Sequence, residues 1–138
     1  MTAATTPDEF LAAKKPHEVT VPIALDGDET VEFTFEALGK TAYRDLLLEH
    51  PPTEKQRQEF RTEQRRLGVP QHALKRLEFN PDEFPPVLLS AACTSHKWTT
   101  EDWARVLDNE NLNAVEAAAL VEAAIKAQVT RRTIPPEA

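Results

Sequence analysis

Apolar and polar residues alternate with period two most clearly between Val19 and Phe35. Val19, Val21, Ile23 and Leu25 interleave with Thr20, Pro22 and Ala24. Past Asp26-Gly27-Asp28, the residues Val31, Phe33 and Phe35 interleave with Thr30, Glu32 and Thr34. Successive strand side chains point to opposite faces, so this pattern predicts a β-hairpin over 19–35 turned at the Asp-Gly pair. Pro22 has no N–H for a ladder, which puts the first strand at an edge. A lone hairpin is marginal in water, so its apolar face must pack on helices or on another subunit.

The pattern then changes to a helical period. Tyr43, Leu46, Leu47 and His50 follow i, i+3, i+4, i+7 spacing and predict a helix over about 38–50, stopped by Pro51-Pro52. Thr53 opens a second helix, 54–67, closed by Gly68; Phe60 and Leu67 are its large apolar side chains, so it buries little. Gln71 to Phe79 reads as a short helical or irregular connection. Asn80-Pro81-Asp82-Glu83 has the order of a helix start with proline at the first position, and the nearly all-apolar run Val87, Leu88, Leu89, Ala91, Ala92 makes the helix 81–94 central.

Two further starts carry capping-box spacing. Thr99 with Asp102 opens 100–108, and Asn113 with Glu116 opens 114–129. Trp98 precedes the first cap and Trp103 sits at the fourth helical position, the spacing of a hydrophobic staple. Thr99, Asp102, Asn113, Glu116 and both tryptophans are accordingly read as structural. Residues 1–16 read as a flexible arm, or as a short helix starting near Pro7-Asp8-Glu9, and 131–138 as a tail. The expected fold is α+β and mostly helical: an N-terminal β-hairpin followed by a compact bundle of about four to five helices, in one domain spanning 17–130.

Composition narrows the function classes. Of 138 residues, 41% are apolar and 28% charged, with a net charge of −7. That balance suits a soluble protein and argues against non-specific nucleic-acid binding by the whole molecule. No apolar run reaches the roughly 20 residues that span a bilayer, and the amino terminus lacks the layout of a signal peptide. A single cysteine, Cys93, excludes an intramolecular disulfide and fits a reducing compartment.

Candidate chemistry is sparse. His17, His50, His72 and His96 are scattered with no metal-ligand spacing, so no metal site is expected. Cys93 lies on the apolar helix, where thiols fill space, and His96 has no third group to orient it. The carboxylates Asp82, Glu83, Glu101 and Asp102 sit at helix starts, where capping explains them. There is no phosphate-cradling loop and no nucleophile elbow, so neither catalytic residues nor a cofactor are expected. Lys55 to Arg76 concentrates Lys55, Arg57, Arg61, Arg65, Arg66, Lys75 and Arg76. The interspersed Glu54, Glu59 and Glu63 favour a solvated helix; the other reading is a contact for an acidic partner or nucleic acid.

The order of features resembles a known family. A β-hairpin, a short helix ending in His50-Pro51-Pro52, a charged segment, Phe84-Pro85-Pro86-x-Leu88-Leu89, a capped acidic helix and the Asn113 helix are similar in layout to the tail assembly chaperones of long, non-contractile-tailed (siphovirus-type) bacteriophages, especially those of actinobacteria. The likeness covers about Val19 to Val129. It implies a non-catalytic protein of the host cytoplasm that coats the tape measure protein and keeps it soluble during tail tube assembly. It also implies absence from the mature virion. A longer form made by ribosomal frameshifting, diverging near Ile134-Pro135-Pro136, would link it to tail tube protein. Independently, the narrow seam Ala117, Leu120, Val121, Ala124 and Ile125 suits helix-in-groove contact with a client or self-association. The alternatives are a structural tail completion or head–tail connector subunit, and a regulatory adaptor. No nucleic-acid or membrane partner is expected.

Overall fold

Seven residues on each side of a tight loop form the hairpin. In the computed structural model, which describes residues 6–130, β1 (Glu18–Ala24) pairs antiparallel with β2 (Thr30–Glu36). The register sets Val19 opposite Phe35, Val21 opposite Phe33 and Ile23 opposite Val31, so the period-two apolar residues share one face. The Leu25 N–H donates to the Glu29 carbonyl at 2.8 Å. That leaves Asp26-Gly27-Asp28 as the tip, and Gly27 takes φ of 71°, the left-handed position such a tip needs. On the outer face the Thr20 and Thr34 hydroxyls pair at 2.9 Å.

Register also explains Pro22. The bonds Leu25–Glu29 and Ala37–His17 make the odd-numbered β1 positions the hydrogen-bonded ones, so position 22 faces away from β2. A proline there costs the ladder nothing. The opposite edge is covered in part by the chain that follows the central helix. Thr94 N–H donates to the Thr34 carbonyl at 2.9 Å, Ser95 Oγ accepts from Thr34 N–H at 3.0 Å, and Cys93 forms a bridge with Phe35.

Six α-helices accompany the hairpin among the described residues, giving the α+β, mostly helical fold expected. The first, α1 (Pro7–Ala13), is capped by Thr6 and buries no side chain, which is the helical of the two readings for this stretch. The rest are α2 (Lys40–Glu49), α3 (Glu54–Arg66), α4 (Phe84–Ala92), α5 (Thr100–Asp108) and α6 (Ala114–Val129), with one turn of 3₁₀ helix at Gln71–Ala73. Residues 1–5 of the expected arm and the expected tail 131–138 lie outside the described residues.

The core is where α4 and α6 meet the hairpin. Phe35, Phe84, Leu88, Leu89, Trp103 and Leu120 are the largest side chains wholly removed from water. The α4 helix is shorter than the expected 81–94. Its start is delayed because Pro81-Asp82-Glu83 form a turn, whose Asp82 and Glu83 N–H groups donate to Asn80 Oδ1 at 2.9 and 3.1 Å. Its end comes early because Cys93 turns extended to bridge β2. Likewise α2 starts at Lys40 rather than 38: Leu38 N–H is held by Gln128 Oε1 at 2.7 Å, and Gly39 at φ 99° breaks the helical path.

Candidate functional site

The Trp-clamped helix start folds as its spacing predicts. Thr99 Oγ1 accepts from Asp102 N–H and Asp102 Oδ2 accepts from Thr99 N–H, both at 3.1 Å. The Thr99 backbone N–H, then its hydroxyl, and then Arg105 Nη2 at 3.1 Å from Oδ1, hold the Asp102 carboxyl below the usual carboxylate range. Asn113 and Glu116 form the same reciprocal box at 2.8 and 3.1 Å. The Trp98 and Trp103 rings lie 4.8 Å apart, and Phe33 sits 5.6 Å from each. This node welds the hairpin to α5, and Trp103 is fully buried while Trp98 is half-buried.

The docking seam expected on α6 divides in two. Leu120 and Ala124 have no exposed surface, so they belong to the core and cannot meet a partner while the chain is folded. That part of the expectation is corrected: the alanine-rich face packs on the chain's own hairpin and α4, because small side chains let those elements approach closely. Ala117, Val121 and Ile125 stay partly exposed. Ala117 and Val121 form one wall of a groove of about 410 Å³, whose other walls are Pro85 and Pro86 of α4 and Ala104 and Leu107 of α5. Asp82 and Asp108 stand at its rim. The α4 and α5 walls escaped the sequence reading, although their prolines and alanine are the small, rigid residues a groove requires.

A larger concavity of about 600 Å³ opens between Ile23 and Leu25 of the hairpin and Val106 and Leu112 around the end of α5. Its rim groups Asp102 and Glu116 are already engaged in the two capping boxes. These two carboxylates therefore serve the fold first.

Side-chain amides, whose distant partners the sequence did not show, hold the periphery. Asn80 is buried, and its Oδ1 also accepts from Gln56 Nε2 at 3.1 Å, while its N–H donates to the His50 carbonyl at 2.8 Å. Gln64 binds the Lys75 backbone twice, accepting from its N–H at 2.8 Å and donating to its carbonyl at 2.9 Å. Gln128 donates to the Glu36 carbonyl at 3.0 Å and so ties α6 to the exit of β2. The available signal was an amide at an otherwise apolar face position: Gln64 falls i+4 from Phe60, and Gln128 i+4 from Ala124.

Groups with chemical potential stay dispersed. No group of three or more His, Cys, Asp or Glu side chains among the described residues is placed to hold a metal ion. Ser95 Oγ lies 2.8 Å from His96 Nδ1, a contact between a hydroxyl and a potential base. Yet that oxygen also accepts the Thr34 N–H, and the imidazole packs 4.5 Å from the Phe33 ring, which makes both parts of the hairpin's support. Cys93 is buried with Sγ 3.6 Å from Ser95 Oγ. No described helix is long and apolar enough to cross a membrane.

No protein family, curated protein or solved structure was found to match this chain.

Proposed function

We propose that this protein is a non-catalytic assembly chaperone that binds an amphipathic helix of a long client, in the manner of phage tail assembly chaperones with their tape measure protein. The observation that carries the reading is the groove between α4, α5 and α6, lined by Pro85, Pro86, Ala104, Leu107, Ala117 and Val121. Small and rigid walls let a helix ridge come close, and binding in such a groove uses apolar anchors rather than reactive groups. The layout resemblance supplies the identity of the client, the host cytoplasm as the place of action and absence from the finished virion. A longer, frameshifted form would carry the link to tail tube protein.

Co-expression tests the reading. A tape measure protein encoded alongside this chain should move from the insoluble to the soluble fraction when the two are made together. Ala118, exposed at the groove, offers the discriminating variant: Ala118→Glu should abolish solubilisation while circular dichroism stays that of the parent. A client equally insoluble with and without this protein would sink the chaperone reading. Recovery of the chain from purified particles would instead favour a tail completion or connector subunit.

A further inference from the structure

The client groove leaves the basic stretch unexplained, and no residue of α3 lines that groove. Residues 53–76 hold seven Lys and Arg against three Glu, a charge of +4 in a chain of −7, so the remainder carries −11. Within α3 the charges separate by face. Arg57, Arg61 and Arg65 recur every fourth residue and form one stripe, whereas Glu59 and Glu63 share the opposite side with Lys55 and Thr62. On that opposite side the charges are paired: Lys55 with Glu59 at 4.0 Å, and Arg66 Nε with Glu63 at 3.0 Å.

The stripe is less compensated. Arg57 reaches Glu54 at 3.7 Å, but its Nε is buried without a hydrogen-bond partner among the described residues. Arg61 and Arg65 are exposed and form no ion pair among the described residues, and neither do Lys75 and Arg76. The two sets are neighbours because Gln64, one turn from Arg61, pins the Lys75 backbone against α3. The exposed, unpaired Arg61 and Arg65 thus form a ridge on α3, with the Lys75 backbone held one turn away and the likewise unpaired Lys75 and Arg76 next to it in the chain.

We propose that this ridge docks a short acidic segment of another protein. Its size argues for that occupant over nucleic acid. Arg61 and Arg65 are about 6 Å apart along the helix, and screening confines each field to about 8 Å at physiological salt. A compact acidic segment stays within that reach. A duplex would extend past the ridge onto the −11 remainder.

The test uses the full chain and a fluorescein-labelled oligoglutamate, followed by anisotropy at low and physiological salt. Arg61→Glu with Arg65→Glu should weaken binding at least about tenfold, and physiological salt should weaken the parent by a similar factor. Lys14→Glu with Lys15→Glu makes the same change of net charge on exposed positions outside α3 and should stay within about twofold of the parent. Circular dichroism of both variants should match the parent. Equal losses in the two double variants would reduce the effect to net charge and overturn the proposal. Tighter binding of duplex DNA than of oligoglutamate, lost with the ridge, would overturn it in favour of nucleic acid. Self-association of the parent in sedimentation, abolished by the ridge variant, would overturn it in favour of a second copy of this chain.

Discussion

At the scale of single residues, the two tryptophans do unequal work. Trp103 loses all contact with solvent and touches both Phe33 and Phe35, whereas Trp98 keeps part of its ring exposed. Trp103→Ala should therefore cost about 4 kcal/mol and Trp98→Ala about 2 kcal/mol in chemical denaturation, since each loses buried area and leaves a cavity. Equal costs would contradict this division. Their spacing around Thr99 announced the staple; which ring faces inward depended on where Phe33 comes to lie, and that is a tertiary matter. Asp102 gives the pH dependence. Its folded carboxyl titrates below the ordinary value, so the unfolded chain binds the proton first as pH falls. The stabilisation is complete well above pH ~4 and is lost as pH drops through the lowered folded value. Thr99→Ala removes the hydroxyl part of that cause and costs about 1 kcal/mol at neutral pH. Its melting temperature should accordingly fall less steeply with acid than the parent's.

At the scale of elements, α3 shows how a segment with almost no buried apolar surface still has a fixed place. Its one buried side chain is Gln64, and what holds it are amide contacts: Gln64 to the Lys75 backbone, and Gln56 to Asn80 and to Asp82 Oδ2 at 3.2 Å. Gln64→Ala frees two backbone groups without making a large cavity. Limited proteolysis between 67 and 79 should then accelerate about tenfold, the factor that corresponds to the loss of about 1.4 kcal/mol of local closing free energy. Cleavage within α4 to α6 should not change, and an unchanged rate at 67–79 would show that the Gln64 clamp does not hold this segment. Polarity alone marked α3 as peripheral. The clamp itself was not legible, because an amide at a given helical position looks the same whether it meets water or a neighbouring backbone.

At the scale of the whole molecule, α6 and α4 cover the apolar face of the hairpin, a two-stranded element that is marginal in water by itself. Ala124 has no exposed surface in that contact, so Ala124→Glu buries a charge that nothing pairs. Near-ultraviolet and far-ultraviolet circular dichroism should be lost together in that variant; a helix-only change would show that the hairpin and bundle fold separately. The contrast with Ala118→Glu, expected to fold normally, separates core alanines from groove alanines within one helix. The sequence by itself determined the elements: period-two alternation made the hairpin, and Thr99, Thr53 and Asn113 set three helix starts, because these signals act between residues three or four apart. Its composition also determined the charge polarity between the 53–76 stretch and the rest. Only the tertiary structure decided that the α6 seam faces inward at Leu120 and Ala124, that Cys93 ends α4 early to bridge Phe35, and that Ala117 and Val121 share a groove with Pro85 and Ala104. Those outcomes depend on which apolar face meets which, and a small residue fits a buried contact and an open groove equally well until its neighbours are in place.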